Sequence, residues 1–249
     1  MRLNATTAIS TPKVLLVPYS AWHVPRYHEW MKDEEIQQAT ASEPLELEEE
    51  YAMQRSWRED PDKLTFIVCQ PVNGSKDAKE RCSLEDSDDA PSRMIGDINL
   101  FLRVEYPDDD EDDDEKEQNS LPAVIGEIEL MIAEKTNQGK GYGRAALLTF
   151  MRYVLEKEKQ IVREFVAGDE NAKKELGAVA DTYLKLGALS VKIGQENERS
   201  LKLFESLGFE KIGEKPSFFG EWELRRGQWD LDGELKVEGY KEVEYTRTE

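Results

Sequence analysis

Apolar and polar residues alternate through 123–132, with Ile128, Leu130 and Ile132 on one face and Glu127 and Glu129 on the other, which predicts a strand. After a glycine-rich loop, the run AALLTFMRYVL from Ala145 opens a helix that extends to about Glu158. Upstream, Lys13–Val17 reads as a buried strand stopped by Pro18. Residues 20–32 follow as a short helix with Val24, Tyr27 and Met31 on one side, and Pro25 fits only in its first turn. Residues 45–58 form a second helix on which Leu47, Tyr51 and Gln54 share a face, and Leu64–Cys69 and Met94–Leu102 are strands. Downstream, 159–187 is helical in composition, either an extension of the preceding helix or a separate hairpin. Leu189–Ile193 is a strand. Asn197–Leu207 is an amphipathic helix with Leu201, Phe204 and Leu207 inward and Gly208 as its C-terminal cap. Two strands follow, around Phe209–Gly213 and Phe218–Arg225. Residues 1–12 read as a loose lead-in, and 227–249 as a terminal hairpin or a loose extension. The order predicts one α/β domain over residues 1–225 with a mixed, mostly antiparallel central sheet flanked by helices, followed by a C-terminal extension, 226–249.

Two stretches carry no apolar period, 70–93 and 104–120, and read as acid-rich loop insertions between strands. The second holds ten acidic residues against Lys116 alone, a block that stays solvated and could attract a basic protein partner. With a net charge of −20, the chain repels phosphate backbones, which argues against nucleic acid. No window approaches eighteen apolar residues, so no membrane span is expected, and Arg2 follows the first residue with no signal peptide ahead of it. Cys69 and Cys82 form no disulfide framework, and Cys69 reads as a small core residue. A soluble cytoplasmic protein is expected, with the nucleus left open. No His/Cys/Asp spacing points to a metal, and no Gly-x-Ser-x-Gly to a hydrolase. His23 and His28 fall on the first helix and read as surface residues; Tyr27, Trp30, Tyr51 and Trp57 read as core.

The chemistry lies in Gln138–Arg144, with glycines at 139, 141 and 143 between a strand and a helix. Free backbone N–H groups at a helix N-terminus suit a phosphate or pyrophosphate, and glycine admits close approach or positive φ. A Walker loop needs Ser or Thr after Gly-Lys, but Gly141 follows Lys140. A Rossmann loop needs G-x-G-x-x-G directly after its strand, but here the glycines alternate after about six intervening residues. The pattern Q/R-x-x-G-x-G/A fits Gln138–Gly143 at every position. The plain alternative is a glycine-rich turn capping a helix.

That loop resembles the pyrophosphate loop of the GNAT acetyltransferase superfamily, and Asn197–Phe209 (NERSLKLFESLGF) is similar to a second superfamily segment. Met1–Asn4, Val17–Tyr19, His23–Met31, Thr40–Leu45, Glu50–Gln54 and Gly126–Glu134 resemble the N-acetyltransferase 9-like subfamily. The likeness covers roughly 1–69, 94–104 and 123–225. Both acidic loops and the helical stretch 159–187 fall outside it, as insertions in a GNAT-type fold.

The resemblance implies acetyl-CoA as donor and a primary amine of a protein or peptide as acceptor. It places the pantetheine amide on the backbone of Met131 and Ile132 and the pyrophosphate on Gln138, Gly139, Lys140, Gly141, Tyr142, Gly143 and Arg144. Asn197 and Phe204 would line the coenzyme. Glu127 matches the superfamily's commoner carboxylate position and is preferred as base; Glu129 could act through water or bind the acceptor's ammonium. Many relatives carry a tyrosine where Phe204 stands, so the leaving thiolate is protonated by another group (Tyr27 and Tyr51 qualify by type) or leaves unassisted, or catalysis is weak or lost. An α-amine, with a pKa of about 7.7–8.0, is neutral far more often at pH 7 than a lysine at about 10.4, which favours an N-terminal acceptor. The competing reading is a non-catalytic GNAT-fold protein that docks a basic partner on its acidic surface.

Overall fold

The computed structural model describes residues 1–40, 42–72, 84–106, 122–176, 185–227 and 235–247. Cys82 and nearly all of the acidic block 104–120, with the basic partner expected for it, lie outside those residues.

In chain order the elements are β1 (Thr7–Ser10), β2 (Leu15–Pro18), α1 (Val24–Trp30), α2 (Glu34–Ala39), α3 (Leu47–Glu59), β3 (Lys63–Cys69), β4 (Met94–Glu105) and β5 (Ala123–Ile132). They continue with α4 (Tyr142–Glu156), α5 (Glu158–Gly168), α6 (Glu170–Leu176), β6 (Leu186–Gly194), α7 (Glu198–Glu205), β7 (Glu210–Lys211), β8 (Glu221–Arg226) and β9 (Lys241–Glu244). The chain divides into two compact units. One holds Met1–Leu100, Glu129–Glu156 and Trp229–Glu249; the other holds Phe101–Ile128 and Lys157–Gln228. Of the tail, residues 235–247 belong to the first unit.

In the first unit the strands run in the order β9-β1-β2-β3-β4-β5, with antiparallel pairing across β9–β1, β1–β2 and β2–β3. β3 is apolar on both faces because each is covered. Phe66 meets Phe150 and Tyr153 of α4 edge-on, at centroid separations of 6.0 and 5.4 Å, whereas Ile67 and Cys69 pack with Val24, Tyr27 and Trp30 on the other side. Pro25 sits in the first turn of α1, as its fixed φ requires.

Both ends of the chain depart from the sequence-based expectation. Residues 1–12 are not loose: β1 pairs with β2, Met1 is buried, and the buried Asn4 side chain donates to the Thr65 carbonyl at 2.8 Å. The described end of the tail is not a loose extension, because β9 lies antiparallel against β1 with Thr7 opposite Glu244. The helix α2, capped by the Asp33 side chain on the Glu35 amide, also follows where no element is expected.

In the second unit β6 pairs with β5 in parallel from Val124↔Leu186 to Glu127↔Ser190, and β8 pairs antiparallel with both β6 and β7. α5 and α6 are separate helices rather than a continuation of α4, and α5 buries Ile161, Val162 and Phe165. Asn197 caps α7 by accepting from the Ser200 amide at 3.1 Å, and Gly208 ends that segment at φ 79°.

Candidate active site

The first unit carries the end of β5 and the glycine loop. β4 and β5 approach closely at Gly96. A Cβ there would lie 2.9 Å from the Met131 carbonyl carbon, 3.1 Å from Ile132 Cα and nearer still to the Met131 oxygen, so only glycine fits. Beyond β5 the Ala133 amide donates to the Ile95 carbonyl at 2.9 Å, and the Glu134 carboxylate accepts from Trp30 Nε1 at 2.9 Å while pairing with Arg26. α1 is thereby tied to the segment from which the loop departs. Gln138 reaches back, its Nε2 donating to the Ile132 carbonyl at 2.9 Å. Gly139 and Gly141 adopt φ of 74° and 83°, a region that other L-residues enter at a cost. α4 starts at Tyr142, with the Ala145 amide donating to the Gly141 carbonyl at 3.1 Å. The first-turn amides of Tyr142 and Gly143 have no intrahelical acceptor and carry the positive end of the helix dipole.

One cation at this loop has no local sequence signal. Lys13, in the turn between β1 and β2, places its Nζ 5.1 Å from the centre of the Tyr142 ring. A Cβ on Gly141 would meet only Lys13 Cε, at 3.9 Å, so the space beside the loop is open. Lys13 thus joins the two cations that the loop carries in its own sequence, Lys140 and Arg144, beside backbone donors, a composition that fits a diphosphate.

Glu127 belongs to the second unit and is largely enclosed by cations. Arg103 Nη1 lies 2.9 Å and Lys192 Nζ 3.0 Å from the same carboxylate oxygen. Arg103 also reaches Glu105 at 3.2 Å and Glu223 at 3.4 Å, and Arg225 joins those two acids at 2.6 Å each. Asn197, as helix cap, and Phe204, buried edge-on against Phe209 with centroids 5.1 Å apart, lie in the same unit. Glu129 belongs to the first unit and is exposed.

The Acetyltransferase (GNAT) domain family matches residues 13–210. Over 226 residues the chain is 38% identical to the N-acetyltransferase 9-like protein of Schizosaccharomyces pombe, covering 85% of this chain and 92% of that protein. This chain belongs to the GNAT acetyltransferases, in the N-acetyltransferase 9-like group. A human relative, Alpha/beta-tubulin-N-acetyltransferase 9, is 41% identical over 245 residues, 96% of this chain and 94% of the human protein. Two solved structures share the fold. One is a domain from Methanocaldococcus jannaschii, with TM-score 0.51 and 19% identity, covering 87% of this chain and 99% of that one. The other is a GNAT-family acetyltransferase from Bacillus anthracis, with TM-score 0.53 and 12% identity, covering 88% and 98%. The protein is an acetyl-CoA-dependent N-acetyltransferase.

Two buried polar clusters in the first unit of this acetyltransferase are not legible in the sequence. In the first, the Ser20 amide donates to His23 Nδ1 at 3.1 Å, which leaves the ring proton on Nε2, 3.2 Å from Asp89 Oδ2. The same oxygen accepts from the Tyr245 hydroxyl at 2.9 Å and from Arg247 Nε at 3.1 Å. His23 is therefore a core residue and not a surface one, and the part of 70–93 around Asp89 is packed rather than solvated. In the second, Asp97 and Asn99 lie within β4, where Asn99 Nδ2 donates to Asp97 Oδ2 at 2.7 Å and the Tyr27 hydroxyl also donates to Asp97. Burial pushes the Asp97 carboxyl up to about 6, against those two hydrogen bonds.

Proposed function

We propose that this enzyme acetylates a protein or peptide amine, with the N-terminal α-amine preferred over lysine, by direct transfer from acetyl-CoA. The observation that carries the reading is the loop Gln138–Arg144, where helix-start amides, two left-handed glycines and the added Lys13 make one cationic cradle. In this reading the cradle takes the diphosphate, and the backbone at Met131 and Ile132 takes the pantetheine amide and steadies the developing oxyanion. Glu127 is engaged by Arg103 and Lys192 on one carboxylate oxygen, so we assign it to anchoring its strand, and the exposed Glu129 to drawing in the acceptor's ammonium. Phe204 offers no proton, so the sulfur takes its proton from the attacking nitrogen. The name of the human relative suggests tubulin as an acceptor.

Mass spectrometry of peptides beginning with the N-terminal sequences of α- and β-tubulin, beside acetyl-blocked lysine peptides, tests the assignment. Acetylation is expected on the free α-amines and at least tenfold slower on lysine, as the difference in neutral fraction requires. Modification confined to lysine would overturn it. Lys13→Ala is expected to weaken acetyl-CoA binding roughly fivefold, about 1 kcal/mol, with no change in Tm. Because the contribution is electrostatic, calorimetric titration should show the difference shrinking as salt rises; equal affinities at low salt would remove Lys13 from the cradle.

A further inference from the structure

We propose that Asp97 takes the proton from the acceptor's ammonium group; the inference rests on the acetyl-transfer reading above. Asp97 follows Gly96, the residue against which the Met131 backbone lies, so its strand position is one residue from the segment assigned to the thioester. It shares a strand face with Asn99. Among the described residues, Asp97 Oδ1, Asn99 Oδ1, Glu50 Oε2 and the Tyr19 hydroxyl are buried with no hydrogen-bond partner. Such atoms are rare in folded proteins, because desolvation without a partner is costly. The groups that bear on this cluster are Tyr19 beyond β2, Tyr27 on α1, Glu50 and Tyr51 on α3, Glu129 on β5 and Asn99 on the same strand as Asp97. None of these is a cation; His28 lies beside Glu50, 3.7 Å from its other oxygen.

An oxygen-rich cluster with unfilled acceptor positions, and with no cation among the six groups just named, suits a guest that brings three N–H donors and a positive charge, which describes an ammonium. Tyr51 and Met131, which pack on the surrounding core, are partly buried and lie between it and solvent-exposed surface. Burial also brings the Asp97 carboxyl near the range in which a base works at neutral pH. In the step, one ammonium proton moves to Asp97, and the freed lone pair forms the C–N bond. The C–S bond breaks with its electrons on sulfur, a second nitrogen proton passes to that sulfur, and Asp97 gives its proton to water. Acetylated amine, coenzyme A thiol and one released proton balance the acetyl-CoA and ammonium consumed.

The test is Asp97→Asn in the full chain, assayed on a peptide with a free α-amine and on the same peptide bearing an aminooxy group, which is neutral at pH 7. Loss of a general base predicts a fall in kcat/KM of about a hundredfold or more on the amine and of less than about fivefold on the aminooxy peptide. Acetyl-CoA affinity should be unchanged and Tm not lowered. Equal losses on both peptides, an unchanged rate on the amine, or loss of folding or acetyl-CoA binding would each overturn the assignment. If wild-type enzyme modifies neither peptide, the acetyl-transfer reading itself fails and takes this inference with it.

Discussion

Asp89→Ala is expected to destabilise the first unit by about 3–5 kcal/mol, the usual cost of removing one partner from a buried charged network. The Asp89 side chain is 3% exposed and accepts from His23, Tyr245 and Arg247, so its removal strands the donors of three residues and leaves the largely buried Arg247 guanidinium with only the exposed Asp86, at 3.8 Å, as an acidic partner. Urea unfolding should show a lower midpoint at unchanged slope. A shift below about 1 kcal/mol would mean that water replaces the carboxylate, and the network would not be structural.

The acid dependence follows in sign. Burial alone would raise the Asp89 carboxyl, but the hydrogen bonds from His23 and Arg247 hold it at about 2 against an ordinary 3.8. Its contribution is therefore present above pH 3.8 and is lost as pH falls toward 2. For His23, burial outweighs the opposing hydrogen bond to Asp89 and lowers the pKa below 6.5, so the folded ring stays neutral and stability begins to decline as pH drops below that value. In Asp89→Ala the lower of these two acid limbs should vanish.

The second large effect is expected at Gly96→Ala. The atoms an added methyl would meet are the backbone of Met131 and Ile132, which cannot rotate aside as a side chain could. Overpacking of this kind typically costs 1–3 kcal/mol. The functional loss should be larger, because relief comes only by moving β5, to which Gln138 and its loop are hydrogen-bonded. A displacement near 1 Å can lower kcat/KM by roughly a hundredfold. The variant should therefore keep its fold in circular dichroism while losing most acetyl-CoA-induced thermal stabilisation. Full stabilisation together with full activity would show that the strand spacing at Gly96 is not tied to the coenzyme seat.

The parts of this protein legible in the sequence are those whose signal is local. Alternation along 123–132 marks β5 to the residue, and the glycines of Gln138–Gly143 mark a loop because two of them need positive φ. What stayed hidden depends on elements meeting from far apart. Lys13 has no marker of its own and reaches Tyr142 only because the β1–β2 hairpin turns there. β1 offers four residues, too few for a period, and its pairing with β9 joins the two ends of the chain. Asp89 and Asp97 carry the same letter as the exposed Asp86, and only packing separates them. The ion pairs that enclose Glu127 come from β4 and β6, whose register no single stretch reveals.

β9 has a consequence for association between molecules. β1 reads Thr-Ala-Ile-Ser, uncharged and with Ala8 and Ile9 fully buried, and left at a sheet margin it would offer a template for strand addition by another copy. The strand that covers it is short and carries Lys241, Glu242 and Glu244 around a single inward Val243. The margin thus ends in side chains that make edge-to-edge stacking unfavourable, and the tail acts as a guard against aggregation.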